Sequence, residues 1–216
     1  MISMTTASNR PLAVDLDGTL IHSDVLLESF LLLIKRNPLY LLLVPLWLLK
    51  GKAALKQAIA SRVQLNPAAL PYNQAFVAWL REQKAAGRQV WLCTASDRSL
   101  ADAVAQHLGV FDGVLASDGQ LNLSGSNKGK ALADRFGAKG FDYCGNAPVD
   151  VAVWREAAGA VVVSNSSSLL KAAAAEAPVQ AQFAGAKGGL RMWMKALRVH
   201  QWGQEWLGAG AFAGGA

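Results

Sequence analysis

Short apolar runs that break off abruptly into polar residues recur along this chain, with stretches of helical periodicity between them. Residues 11–14 (PLAV) run straight into DLDGTL, the pattern of a buried strand that opens onto a loop. Residues 89–93 (QVWLC) repeat it, behind a helical stretch at 73–86 that Gly87 stops. This second run closes on the small residues Thr94, Ala95 and Ser96. A helix is predicted at 99–108, ended by Gly109, then a short strand at 114–116 and a helix at 130–136. Residues 141–144 form a third strong run, ending in GNAPVD, and a helix at 151–157 and a strand at 160–163 follow. Strands alternating with helices predict an open α/β fold with a mostly parallel sheet. Such sheets bind ligands at the carboxyl ends of their strands, where all of these polar clusters fall.

Two segments break the alternation. In residues 25–49, apolar stretches at 26–34 and 39–49 flank Lys35, Arg36, Asn37 and Pro38. Each is shorter than the roughly 20 apolar residues of a spanning helix, and Pro45 opposes a single continuous one. A helical cap inserted between the first two strands is predicted, its leucines forming either an ordinary cap core or an interfacial, partner-docking surface. Near the end, Leu190, Trp193, Met194 and Leu197 share one helical face and Arg191, Lys195 and Arg198 the adjoining one. This is the pattern of a basic amphipathic helix on a membrane surface, with a calmodulin-like target or a plain surface helix as alternatives. The closing LGAGAFAGGA is apolar but too short to span.

Composition adjusts the picture only modestly. Charged residues are 17% of the 216 and hydrophobic ones 52%, which disfavours disorder and favours an apolar surface somewhere. A net charge of +6 suits phosphates or an acidic lipid surface. No nucleic-acid module accompanies that charge, so nucleic acid is not an expected partner. Cys93 and Cys144 both follow strand-like runs, which reads as a reducing compartment rather than a disulfide framework. With no apolar stretch ahead of the first acidic motif, no signal peptide is expected and the domain is placed in the cytoplasm.

Candidate chemistry lies at the strand ends. Asp15 and Asp17, separated by one residue, can converge on one point, so that one attacks while the other binds or handles a proton. Gly18 permits a sharp turn, and Thr19 offers a hydroxyl for capping or phosphate contact. Thr94 and Ser96 can donate to a phosphoryl oxygen, although turn roles are common at such positions. Lys128 could neutralise charge on a transferring group, with Lys130 as a competing candidate. Asn146 and Asp150 are oxygen donors suited to a hard cation such as Mg²⁺, and Asn146 could equally cap a helix.

In this order and spacing the four clusters resemble the motifs of the haloacid dehalogenase-like (HAD) hydrolases, over about residues 11–165. The resemblance implies a Rossmannoid three-layer sandwich whose core (about 9–22 and 87–186) carries a helical cap (about 23–86). It implies a Mg²⁺-dependent phosphatase in which Asp15 is the nucleophile, forming an aspartyl-phosphate, and Asp17 is the general acid/base. Thr94 and Lys128 would hold the phosphoryl oxygens, with Gly18, Thr19, Ala95 and Ser96 around the substrate. The metal would lie among Asp15, the Asp17 backbone carbonyl, Asn146 and Asp150. One departure is that Asn146 stands where many members carry an acid, which implies weaker metal binding and either a slow phosphatase or a non-catalytic domain.

The string KALRVHQW, after such a domain with a leucine-rich cap, is similar to bacterial proteins in which a HAD-like domain precedes a UbiA-type polyprenyltransferase. By that resemblance residues 187–216 are the start of the prenyltransferase's membrane region, truncated after Trp202, without its aspartate-rich motifs. It implies a small-molecule or lipid-linked, even polyprenyl, phosphate as substrate. The implied partner is the cytoplasmic membrane surface or a prenyltransferase domain, with the protein peripheral on the inner face.

Overall fold

Strand β1 (Leu12–Val14) turns Leu12 and Val14 toward one face of a sheet and Ala13 toward the other, as the period of two requires. All three are fully buried, so this is the interior strand of a sheet covered on both sides. The other strands are β2 (Val90–Asp97), β3 (Gly113–Ser117), β4 (Asp142–Gly145), β5 (Gly159–Val163) and β6 (Val179–Phe183). Every pairing is parallel, in the order β3-β2-β1-β4-β5-β6. The computed structural model describes residues 9–63, 66–117 and 122–185, all within one compact unit, Met1–Ala186. The basic amphipathic helix expected around Leu190–Leu197 lies outside the described residues.

Between β1 and β2 come α1 (Val25–Arg36), a 3-10 segment (Pro38–Leu43), α2 (Val44–Leu49) and α3 (Lys52–Ala60). Ile21 and Tyr72 form an antiparallel bridge where the chain leaves for this insertion and where it returns. Next, α4 (Gln74–Ala85) and α5 (Arg98–Leu108) cover one face of the sheet. Phe76, Leu80, Leu100 and Val104 pack there with Leu12, Val14, Val90 and Leu92. On the other face lie α6 (Ser126–Phe136), α7 (Val151–Trp154) and α8 (Ser167–Glu176), where Leu132, Trp154 and Leu169 pack with Ala13, Tyr143, Ala160 and Val162. Fully burying each large apolar side chain is worth about 1.5–3 kcal/mol, so both faces of the sheet contribute to stability. The expected three-layer α/β sandwich with a parallel sheet is therefore present.

Several boundaries differ from the sequence pattern. β2 runs on to Asp97, past the expected stop at Cys93, and its register against β3 shifts between Thr94 and Asp97. α6 starts at Ser126 instead of 130, which puts Lys128 inside its first turn. α7 ends at Trp154 because the chain turns at once into β5, with the Ala158 amide bonded to the Phe141 carbonyl at 2.7 Å. α3, α8 and β6 left only weak signals. Residues 172–175 are all alanine and carry no strong apolar stripe, while VQAQF in β6 is a short alternation of apolar and polar residues, as a half-buried edge strand requires.

Register decides where the site forms. Val14 lies opposite both Leu92 of β2 and Cys144 of β4. Asp15, Thr94 and the Gly145-Asn146 pair therefore lie together toward the carboxyl ends of three neighbouring strands, around the central one. At the opposite end, Arg88 ties the sheet together through buried bonds to Asp142 and to the Arg10 carbonyl, the latter at 2.8 Å.

Candidate active site

Asp15 follows β1 directly, and its amide bonds the Cys144 carbonyl of β4 at 3.0 Å, which fixes the carboxylate over the sheet edge. Beyond it the chain makes a tight turn, with Leu20 and Ile21 amides bonding back to the Leu16 carbonyl. Gly18 sits at φ +77°, and a Cβ there would fall 2.1 Å from Asn146 Nδ2. Only glycine lets the first loop approach the fourth so closely. The neighbouring Thr19 is fully buried and its hydroxyl donates to Asn146 Oδ1 at 3.0 Å, locking the two loops together.

Lys128 reaches the nucleophile candidate from α6. Its Nζ donates to Asp15 Oδ1 at 2.5 Å and to Tyr143 Oη at 3.0 Å. The Tyr143 hydroxyl donates in turn to Asp150 Oδ1 at 2.8 Å. The other Asp150 oxygen accepts from the amides of Asn146 and Ala147, both at 3.0 Å. Gly145 makes room for this carboxylate, since a Cβ there would lie 2.7 Å from Asp150 Cγ. The result is a buried chain from Asp15 through Lys128 and Tyr143 to Asp150. Asp150 therefore shapes the loop that presents Asn146.

The remaining predicted residues line the same edge. Asp17 Oδ2 accepts from the Ser96 hydroxyl at 2.8 Å, and the Ser96 amide donates to Thr94 Oγ1 at 3.0 Å. The Ala95 carbonyl accepts from Ser117 Oγ at 2.9 Å and from Lys56 Nζ of α3 at 2.7 Å. Thus Asp15, Asp17, Thr94, Ser96, Lys128 and Asn146 are gathered at one place. The competing Lys130 lies farther along α6 and is exposed.

Sequence reasoning missed two participants. Tyr143 reads as one more apolar strand position, and only its place two residues before the glycine of GNAPVD hints at the site. Lys56 comes from an insertion helix that carried no expected role. It also reaches Asn122 Oδ1, at 3.1 Å, so it joins the insertion to the end of β2 and to the segment between β3 and α6.

Electrostatics single out Asp15, which is only 8% exposed. Burial raises its carboxyl, Lys128 lowers it, and Asp150 and Asp17 raise it again; the balance lifts it from 3.8 to about 7. For Lys128, burial alone would lower the ammonium, but Asp15 and its other anionic neighbours outweigh it and hold it above the usual lysine range. Burial and Asp150 push the Tyr143 hydroxyl well up, so it remains a donor.

Around Asp15 stand two further carboxylates, Asp150 and Asp17, against one lysine, which leaves a deficit of positive charge. Among the described residues no group of three or more His, Cys, Asp or Glu side chains is arranged to hold a metal ion. Asp15 and Asp17, together with the Asn146 amide oxygen, nevertheless form an all-oxygen donor set, which suits a hard divalent cation. The donor chemistry and the charge deficit both fit Mg²⁺.

Comparison with known proteins shows the family and the fold. The chain belongs to the haloacid dehalogenase-like hydrolase family, which it matches over residues 12–155. It is similar to the uncharacterized protein y4nM of Sinorhizobium fredii (strain NBRC 101917 / NGR234), with 39% identity over 201 residues. That match covers 91% of this chain but only 38% of the relative's length. Among solved structures, a substrate-bound phosphoserine phosphatase is similar with a TM-score of 0.54 and 14% identity, over 87% of this chain and 98% of that one. A HAD family hydrolase from Salmonella enterica subsp. enterica serovar Typhi has a TM-score of 0.57 and 13% identity, over 89% of this chain and 72% of that one. At these identities the likeness to the two structures is one of fold.

Proposed function

We propose that this domain is a Mg²⁺-dependent phosphomonoester phosphatase that works through an aspartyl-phosphate on Asp15. The observation that carries the reading is the buried Asp15–Lys128 contact at 2.5 Å, beside Asp17 and the Asn146 loop. One Asp15 oxygen attacks phosphorus as the bond to the leaving oxygen breaks, and Asp17 gives that oxygen its proton. Asp17 then takes a proton from water, whose oxygen attacks the aspartyl-phosphate and releases phosphate and a free Asp15. Lys128 balances charge on the phosphoryl oxygens, and the Thr94 and Ser96 hydroxyls flank the site. When bound, Mg²⁺ would be held by Asp15, the Asp17 backbone carbonyl and Asn146, supplying charge to a nucleophile that burial otherwise protonates. Asp150 supports it from behind.

The favoured substrate class is a lipid-linked phosphate, polyprenyl phosphate included, at the cytoplasmic face of the membrane. The leucine-rich insertion and the similarity of KALRVHQW to the HAD–UbiA-type fusions support it. A second reading, a non-catalytic docking domain of a UbiA-type prenyltransferase, is favoured by Asn146, whose neutral amide is already bonded by Thr19.

The test is hydrolysis of an aryl phosphate by the purified chain, with and without Mg²⁺, beside Asp15→Asn. Turnover that needs both the cation and Asp15 supports the phosphatase. Turnover unchanged in Asp15→Asn removes the assigned nucleophile. If wild type is inactive and Asn146→Asp gains Mg²⁺-dependent activity, the docking reading is favoured.

A further inference from the structure

We propose that the insertion tip, Pro38–Leu43 with Val44–Leu49, dips into one leaflet of an anionic bilayer. Neither segment has a single buried residue, although the sequence is PLYLLLVPLWLL. Leu42 is 73% exposed and Leu49 84%, and Leu39, Leu41, Leu46 and Leu48 are exposed with them. Among the described residues, every exposed leucine lies between Leu32 and Leu49.

The distribution of these side chains chooses the occupant. A helix that docks on a protein is apolar along one stripe and polar elsewhere. In α2, Leu46, Leu48 and Leu49 spread over roughly 160° of the helix circumference, at about 100° per residue, and all three are exposed. Exposed leucines that cover half of α2 and continue through Leu39, Leu41 and Leu42 make an apolar surface wider than a single docking stripe, which suits a liquid hydrocarbon. Six residues of α-helix span only about 9 Å, the depth of the headgroup and upper acyl region. No helix among the described residues is long and apolar enough to cross a membrane, so the contact is confined to one leaflet.

Charge then selects the lipid. Residues 29–81 contain no Asp or Glu. Lys35 and Arg36 end the helix that enters the tip, Lys50 leaves it, and all three are exposed. The Arg62 guanidinium lies 5.1 Å from the Trp47 ring, and Trp47 pairs with Tyr40 at 6.2 Å between ring centroids. Arg36 and Arg62 also line a concavity of about 520 Å³ with Leu32 and Ser61, room for a phosphate headgroup beside the leucines. Aromatic rings between an apolar tip and a basic rim are what a monotopic contact with anionic lipid requires. The contact does not depend on whether the Asp15 site turns over.

The full chain tests this with a polarity-sensitive fluorophore on Leu42→Cys, and a control on Ser168→Cys. Labelling is selective because the native thiols of Cys93 and Cys144 are fully buried. Vesicles are phosphatidylcholine alone or mixed with phosphatidylglycerol, with nitroxide quenchers in their acyl chains. The expected result is a blue shift and quenching at position 42 on the anionic vesicles, much weaker on the neutral ones, and neither effect at position 168. Unlabelled Leu42→Ser/Leu49→Ser should melt like wild type and lose about a hundredfold in partitioning. Three outcomes overturn the proposal: no change at position 42 while the protein floats with vesicles, a blue shift that grows with protein concentration without lipid, or equal binding to neutral vesicles.

Discussion

Tyr143→Phe isolates the part of the site that strand patterning could not reveal. The hydroxyl accepts from Lys128 at 3.0 Å and donates to Asp150 at 2.8 Å, and the residue is fully buried. Phenylalanine keeps the ring and its packing against Trp154, at 6.4 Å between centroids, so little cavity opens. What is lost is one hydrogen bond to each of two charged groups, in a place water does not reach. Asp150 keeps its two backbone amides and Lys128 keeps Asp15, so neither charge is left wholly unpaired. Bonds to charged groups contribute about 1.5–3 kcal/mol each, and the retained partners reduce the combined cost to about 2–3 kcal/mol. For a chain of this size that lowers Tm by about 4–10 °C. Thermal melting monitored by circular dichroism measures it. With Lys128 held by one partner instead of two, kcat on an aryl phosphate should fall about tenfold while KM changes little. A Tyr143→Phe protein within 1 °C of wild type in Tm would refute the buried relay, whatever its activity.

Other consequences are as direct. Asn146→Asp adds a fourth carboxylate, so the metal-free protein should melt lower than wild type and gain more in Tm from Mg²⁺; an equal gain in both would exclude position 146 as a ligand. Gly18→Ala must place a methyl 2.1 Å from Asn146 Nδ2 at a positive φ, and should cost about 2 kcal/mol or more in urea unfolding; a neutral result would mean the two loops are not in contact. Because folding raises the Asp15 carboxyl from 3.8 to about 7, the metal-free native state holds that proton more tightly than the unfolded chain. Its contribution to stability is full below about pH 4 and is lost as pH rises through about 7, so Asp15→Asn should flatten the fall in Tm across that window. Arg88→Met leaves the buried Asp142 carboxylate without its partner and should cost about 3–5 kcal/mol, read from the urea midpoint.

The residue pattern alone carries the α/β alternation, because runs such as PLAV and QVWLC bury both faces and stop at polar residues whatever packs on them. It also marked Asp15, Asp17, Thr94 and Asn146, since each follows an apolar run and parallel strands point their ends the same way. Which of these ends meet is set by long-range packing. The β1 register against β2 and β4 is a property of three chain segments far apart in sequence, and no local pattern encodes it. Lys128 became a buried partner of Asp15 only because α6 begins at Ser126 and turns that lysine inward. Tyr143 acquired a role only when Lys128 and Asp150 arrived on either side of its hydroxyl. The leucines of the insertion show the same division, for their apolarity is written in the chain. Whether they are covered depends on what the fold places against them, and among the described residues they stay exposed.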